Sequence, residues 1–564
     1  MKRNLLAGAF LFALSFNSLF AQESVDAPPY SDLIQITDYE NQLPEFVLAA
    51  PDLTDIIAED ELRSKNGEFD RFGITQPVQL NLLNSGVWSL LPNGDRIWRL
   101  KITSEGAVST ALFYNDFYLP EGAKLHIYTP DKSQIIGAFT SYNNPDNGYF
   151  STDNIYGESC IIEYYEPVSQ AGIGRVNIEE VGHGYRYDYK ENFDENIYKI
   201  DESDTCQVDV ACTPESTGWA DVIKSVVRIR VKVGSSYGYC SGTVVNNTGQ
   251  DCTPYVLTAW HCGDGATTAN FSQWSIYFKY QKSACGSGTA PINNAMTGCT
   301  MRANSNDGGG DTGSDFLLIE MNSMIPGTYT PYFSGWDRST YSSGTSSGVS
   351  VHHPAGDCKK ISTYTNETVS SASWGGSVSN THWRFKWTQT VNGHGVTEGG
   401  SSGSGLFRLD NKLLWGTLTG GASYCSNTAG KDLYGKMSFH WTSNGTIAAE
   451  QLKPWLDPTS SNVNTLTGTY YPCVNSVEDH SLNTLISVYP NPSSGIINLD
   501  ISDVNIDDLT VKVYNLLGEL VFSTKIYSGI EKYSINLANE ADGVYLITVS
   551  SSVQSISKKV ILEK

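Results

Sequence analysis

The sequence predicts a mainly β chain divided into several domains, and three observations carry that expectation. At 564 residues the chain exceeds what a single hydrophobic core serves, so three or four domains are expected. Gly (52) and Tyr (32) are plentiful while strong helix formers are sparse, a composition suited to strands joined by frequent turns. Short runs of period-two alternation recur along the chain, bounded by Gly, Ser and Asn. The net charge of −23 sets aside nucleic acid and anionic membrane surfaces as partners.

Taken in order, Lys2 and Arg3, the apolar run from Leu5 to Phe16, and Ala21 before Gln22 read as a signal peptide over residues 1–21. No later stretch reaches the 18 apolar residues of a membrane-spanning helix. Residues 22–199 hold one cysteine, Cys160, and alternating segments such as "KLHIYTP" (Lys124 to Pro130), and they end in a stretch rich in Tyr, Asp and Glu. They are read as a β-rich N-terminal propeptide, the alternative being a binding domain that stays attached. Over residues 200–470 cysteine density rises. There "VVRIRVKV" (Val226 to Val233) alternates apolar and charged residues like a half-buried strand, and "PYVLTA", "WSIYFKY" and "DFLLIEM" follow as further strands. A short helix is expected around Ala448 to Leu456, with Pro454 inside it. A polar linker over 471–484 leads to an independent β module, 485–564, which lacks the clustered polar groups that chemistry requires.

Eleven cysteines in an exported chain point to disulfides; seven lie between Cys206 and Cys299, with no paired zinc-ligand spacing, so neither metal nor cofactor is expected. The candidate chemistry is nucleophilic. A serine hydroxyl needs an imidazole to take its proton and a carboxylate to fix the imidazole's tautomer. His261 follows an apolar strand in "LTAWHC" and immediately precedes Cys262. Ser402 lies in "EGGSSGSGLF" (Glu398 to Phe407), where small residues permit a sharp turn and let the amides of Gly400 and Ser402 converge on an oxyanion. Such donors are worth about 2.7–4 kcal/mol each. Asp315 opens "DFLLIEM", a carboxylate entering an apolar strand, whereas Asp307 and Asp311 in the preceding glycine-rich loop are expected to be solvated. The order His, Asp, Ser is one of three chain orders that build this triad.

The segments "CSGTVVNN" (Cys240 to Asn247), "LTAWHCG", "SDFLLIE", "FSGWDR" (Phe333 to Arg338), "VHHPAGDCKKIS" (Val351 to Ser362), "GVTEGGSSGSGLF" and "DLYGKM" (Asp432 to Met437) resemble the lysyl endopeptidases, bacterial chymotrypsin-like serine proteases. The resemblance covers about Cys206 to Thr469. It implies a chymotrypsin-like double β-barrel of two six-stranded antiparallel barrels with the triad between them, and disulfides Cys206–Cys425, Cys212–Cys285 and Cys240–Cys262. It also implies a lysine pocket with Asp432 at its base, Trp374 along its wall and Thr419 at its edge. Thr419 stands where the best-known members carry a histidine, and Ser401 where trypsin-type zymogens carry an activating aspartate. A cut after Lys199, made by the enzyme itself, would leave a mature start near the family's own. The C-terminal module, with "YPNPSSG" and "GVYLITV", is similar to the β-sandwich sorting domain of the type IX secretion system, implying export across the outer membrane followed by release or surface attachment.

The function implied is thus a secreted, monomeric serine endopeptidase cutting after lysine, with lysine-containing polypeptides and, through its last domain, the secretion machinery as partners. Two alternatives stand beside it: a pocket that takes arginine as well as lysine, and a non-catalytic surface adhesin on a protease scaffold.

Overall fold

The structure is a computed structural model that describes residues 27–33, 43–66, 69–186, 203–291, 294–473, 486–501, 509–515, 519–527, 532–550 and 555–564. The signal peptide, Lys199 and most of the expected linker lie outside them. The chain divides into two units, Met1–Val474 and Asn475–Lys564.

Within the first unit an N-terminal β domain precedes the protease region. Three of its strands, β1 (Asp70–Asn81), β2 (Ser109–Tyr118) and β3 (Arg175–Gly184), form a sheet with β3 in the middle. A second sheet is built on Arg96–Ser104 and Ser159–Glu166. Leu112, Tyr114 and Val181 share one core with Trp98, Ile102, Ile127 and Ile162, all of them alternate positions of their strands.

The first barrel follows: β4 (Val226–Val233), β5 (Ser236–Val244), β6 (Tyr255–Thr258) and β7 (Leu317–Met321), joined by Ser275–Tyr277 beside β4 and Cys299–Asn304 beside β7. All six are antiparallel. The second barrel contains β8 (Gly344–His352), β9 (Gly405–Arg408), β10 (Leu414–Gly421) and β11 (Asp432–Lys436), with Lys360–Ala372 and His382–Phe385 completing six strands; β9 pairs with both β8 and β10, which closes the ring. Full closure removes exposed strand edges. The expected helix around Ala448 to Leu456 is two short pieces, Ala448–Glu450 and Lys453–Leu456, since Pro454 suits only a first helical turn.

One expectation is corrected by the packing. The charged positions of β4, Arg228, Arg230 and Lys232, do not face solvent: all are buried, Arg230 against Ser151 and Asn154 and Lys232 against Glu180 of the N-terminal domain, and Arg228 among Tyr239, Tyr277 and Tyr280 with Nη1 donating to the Gly356 carbonyl. Disulfides join Cys206 to Cys425, Cys212 to Cys285, Cys240 to Cys262 and Cys252 to Cys473, while Cys160, Cys299 and Cys358 are buried free thiols.

The second unit is a β-sandwich. A three-stranded sheet (Ser487–Tyr489, Ile496–Asp500, Lys532–Asn536) and a four-stranded sheet (Leu520–Ile526, Leu509–Asn515, Gly543–Ser550, Ser555–Leu562) contribute Ile497, Leu499, Val511, Ile547 and Val560 to one core. Among the described residues no helix is long and apolar enough to cross a membrane.

Candidate active site

The register of two adjacent strands brings the histidine and the aspartate together. Thr258, at the end of β6, pairs with Leu317, at the start of β7. His261 lies three residues beyond the first and Asp315 two before the second, so both emerge at the same end of the barrel. Asp315 is fully buried; its Oδ2 accepts from His261 Nδ1 at 2.7 Å and its Oδ1 from the His261 backbone N–H at 2.9 Å. This bidentate grip fixes both the ring and the tautomer, leaving Nε2 as the proton-accepting nitrogen. Burial pushes the Asp315 pKa upward, but the imidazole's charge and the two N–H bonds outweigh it and hold the group below the ordinary carboxylate value.

Asp315 has φ +58°, a left-handed conformation that an ordinary side chain adopts only when its surroundings impose it. Asp307 does so. Contrary to the expectation that it is solvated, Asp307 is 4% exposed, and its carboxylate accepts from the backbone N–H groups of Asp315 (2.8 Å) and Gly310 (3.0 Å) and from Ser305 Oγ (2.7 Å). Burial first, then the neighbouring Asp315 charge, raise its pKa. Asp311 is exposed as expected.

Ser402 sits three residues before β9, in a turn clamped against the first barrel. Ser241 N–H donates to the Ser402 carbonyl (2.8 Å), and Ser241 Oγ donates to the Gly400 carbonyl (2.9 Å). The Ser402 carbonyl also lies 4.0 Å from Cys262 Sγ, beside His261. Gly400 and Gly403 have φ of +84° and +79°, and a Cβ on Gly403 would stand 2.0 Å from Thr258 Oγ1, so only glycine fits this close approach of the two barrels. Among the described residues the amides of Gly400 and Ser402 donate to no other protein atom. Beneath the turn, Ser401 Oγ meets His352 Nδ1 at 2.7 Å, a neutral arrangement since burial lowers the His352 pKa to about 3.

The expected pocket residues lie on the second barrel. Trp374 stands against Gly310 and Gly420: a Cβ on Gly420 would approach its ring to 2.9 Å. Thr419 turns its hydroxyl inward to His382 Nε2 (2.9 Å), and a Cβ on Gly310 would lie 3.3 Å from its methyl. Asp432 is fully buried. Its Oδ2 accepts from Trp387 Nε1 (2.6 Å), Thr397 Oγ1 (2.7 Å) and Ser423 Oγ (2.6 Å), and its Oδ1 from Ser423 N–H (3.2 Å). Burial raises its pKa against these four donors, and among the described residues no cation pairs with it. Asp307, Ser241, Trp387, Thr397 and Ser423 carry no sequence signal of these roles; the partners of Ser241, Trp387 and Thr397 are distant along the chain.

The two antiparallel barrels, with the His261–Asp315 pair at their junction, have the fold of the chymotrypsin-like serine proteases. The chain belongs to the lysyl endopeptidase family. Residues 200–435 match the lysyl endopeptidase C-terminal domain, and residues 487–563 match the secretion system C-terminal sorting domain, which marks an exported protein. The chain is 30% identical over 356 residues, 60% of this chain and 71% of the relative, to the lysyl endopeptidase of Pseudomonas aeruginosa. Among solved structures it is similar to the protease Anisep of Arthrobacter nicotinovorans (18% identity, TM-score 0.27, 38% of this chain and 90% of that one). It is also similar to the thermostable serine protease AL20 of an extremophilic microorganism (13% identity, TM-score 0.28, 38% and 92%).

Proposed function

We propose that this protein is a secreted serine endopeptidase hydrolysing peptide bonds on the carboxyl side of lysine. Ser402 Oγ attacks the scissile carbonyl while His261 Nε2 takes its proton, Asp315 stabilises the imidazolium, and the amides of Gly400 and Ser402 hold the oxyanion. His261 then returns the proton to the leaving amine, and water repeats the cycle on the acyl-enzyme.

The observation that carries the lysine reading is Asp432: a fully buried carboxylate surrounded by neutral donors and paired with no cation among the described residues. A lysine side chain lying along Trp374 would bring an ammonium to it, whereas an uncharged side chain would leave the buried charge uncompensated. Oδ2 already accepts three hydrogen bonds, so the two-pronged grip that a guanidinium prefers is unavailable, which favours lysine over arginine. We further propose that residues 22–199 are a propeptide, that the cut after Lys199 is made by the enzyme itself, and that the mature enzyme is a monomer.

The test is mass spectrometry of peptides released from a denatured protein, with Ser402→Ala enzyme as the blank. Lysine should precede nearly every cut, and Ser402→Ala should lower turnover by about 10⁴–10⁶-fold. Cuts scattered over other residues would sink the pocket assignment, and an unaffected Ser402→Ala enzyme would sink the nucleophile.

A further inference from the structure

Strand β10 runs on past its partner β9. The two pair from Phe407 opposite Leu414 to Gly405 opposite Thr417. Leu418 then exchanges hydrogen bonds with the nucleophile turn itself: its N–H donates to the Ser404 carbonyl and its carbonyl accepts from Gly403 N–H, both at 2.9 Å. On its other edge β10 is held by β11 as far as Gly421, which stands opposite Asp432. Among the described residues no strand pairs with Thr419, Gly420 or Gly421 on the β9 side. An extended peptide laid along that edge continues the line of β9, antiparallel to β10, and its C-terminal end arrives at Ser402. The cleaved lysine then lies by Thr419, and the residues before it lie along Gly420 and Gly421.

One wall of that groove is the loop before Asp315. Gly309 comes so near His261 that a Cβ on the glycine would stand 3.1 Å from the histidine's own Cβ. Gly310 lies among Asp315, Thr419 and Trp374, whose nearest atoms would be 3.3, 3.3 and 3.4 Å from a Cβ there. Asp311 comes next, and a Cβ on Gly375, the neighbour of Trp374, would stand 2.6 Å from its Oδ1. The loop is held from beneath: Asp307 Oδ1 accepts from Gly310 N–H at 3.0 Å, and the Asp307 carbonyl from Thr312 N–H at 3.2 Å. Its position is thus set before a substrate arrives, which lowers the ordering cost of any contact it makes.

Asp311 itself is exposed, and among the described residues no hydrogen bond or ion pair holds its carboxylate. Successive side chains of an extended peptide alternate in direction. The residue before the lysine therefore points away from the Asp432 pocket, toward His261 and the glycine loop. A long basic side chain there can lie over Gly309 and Gly310, where no side chain stands in its way, and bring its cation to Asp311. The residue before that one points back toward Trp374 and Gly375, on the other flank of the same carboxylate. The net charge of −23 draws cationic polypeptides to the surface in general; Asp311 gives that attraction a place beside the reacting bond.

We propose that Asp311 forms a second acidic subsite, favouring polypeptides in which a lysine or arginine stands within the two positions preceding the cleaved lysine. The proposal rests on the serine endopeptidase reading above and narrows its substrates to clustered basic residues. Asp311 touches no reacting atom; it is a specificity-determining residue that acts on the substrate's upstream side chains. A glutamate or aspartate at either position meets like charge and is disfavoured.

The test is kcat/KM of the secreted enzyme on matched peptide amides carrying arginine, alanine or glutamate at each of the two positions before the lysine. Arginine should be favoured over alanine by about two- to fivefold and glutamate disfavoured by a similar factor, the size expected of one exposed ion pair. Both effects should shrink in about 0.5 M salt. Asp311→Asn should bring the three peptides together, and Asp311→Lys should reverse their order. In both variants lysine should still precede each cut, because Asp432 is untouched; that readout also shows the variants to be folded. An enzyme indifferent to the upstream residues overturns the proposal, as does an arginine preference that survives Asp311→Lys. Lysine-directed cleavage with a flat upstream profile removes the subsite alone, whereas failure to cut any lysyl peptide brings down the endopeptidase reading and the subsite with it.

Discussion

Replacing Asp432 with asparagine separates the pocket's electrostatics from its packing. The carboxylate is fully buried, with three donors on Oδ2 and one, Ser423 N–H at 3.2 Å, on Oδ1. An asparagine can place its carbonyl oxygen at the Oδ2 position and satisfy Trp387, Thr397 and Ser423 Oγ together. Its amide then faces Ser423 N–H, one donor–donor contact at the longest of the four bonds, costing about 1–3 kcal/mol. Opposing that cost, the substitution removes a buried charge without a counter-ion. The two terms differ in sign, so Tm should move by only a few degrees. Lysine binding has no such compensation. Breaking a buried ion pair by removing one partner costs about 3–5 kcal/mol. That is roughly two to three and a half powers of ten in kcat/KM, at 1.4 kcal/mol per factor of ten. The assay is kcat/KM for matched lysyl, arginyl and norleucyl amides, with thermal melting alongside. Lysyl turnover should fall by that amount while norleucyl turnover holds or rises. An unchanged lysyl-to-norleucyl ratio in a folded Asp432→Asn enzyme would refute the role of the carboxylate.

Asp307→Ala strips the acceptor from three donors and releases the left-handed turn at Asp315, so kcat should fall about 10–100-fold with KM little changed, while Asp307→Asn should recover part of the loss. Steady-state kinetics on the two variants checks this; a loss confined to KM would count against it. Because burial raises the Asp432 pKa, acidification should neutralise the pocket at a higher pH than an ordinary carboxylate would require. KM for lysyl substrates should therefore climb as pH falls, while norleucyl KM stays flat, which parallel pH profiles would reveal. The Cys240–Cys262 bond closes a loop of 22 residues next to His261. Replacing both cysteines with serine should destabilise the protein by about 3 kcal/mol, read from the midpoint of denaturant unfolding.

Much of this molecule was legible in the chain. The apolar runs "PYVLTA" and "DFLLIEM", bounded by turn residues, placed β6 and β7, and the apolar strands leading into His261 and out of Asp315 marked both as strand-end residues, because such runs are written locally. The glycines around Ser402 likewise announced a turn that only residues without a side chain can make. What the chain could not reveal depends on burial and on contacts that exist only once the chain is folded. Asp307 looks like a loop carboxylate, and only folding buries it behind Asp315. Arg230 and Lys232 alternate as solvent-facing residues should, yet Ser151, Asn154 and Glu180 of the N-terminal domain pack against them. Burial and charge pairing are sums over neighbours in space, so the sequence determined the strands and the candidate chemical groups, while tertiary packing alone decided which carboxylates lie dry and which face of a barrel is covered.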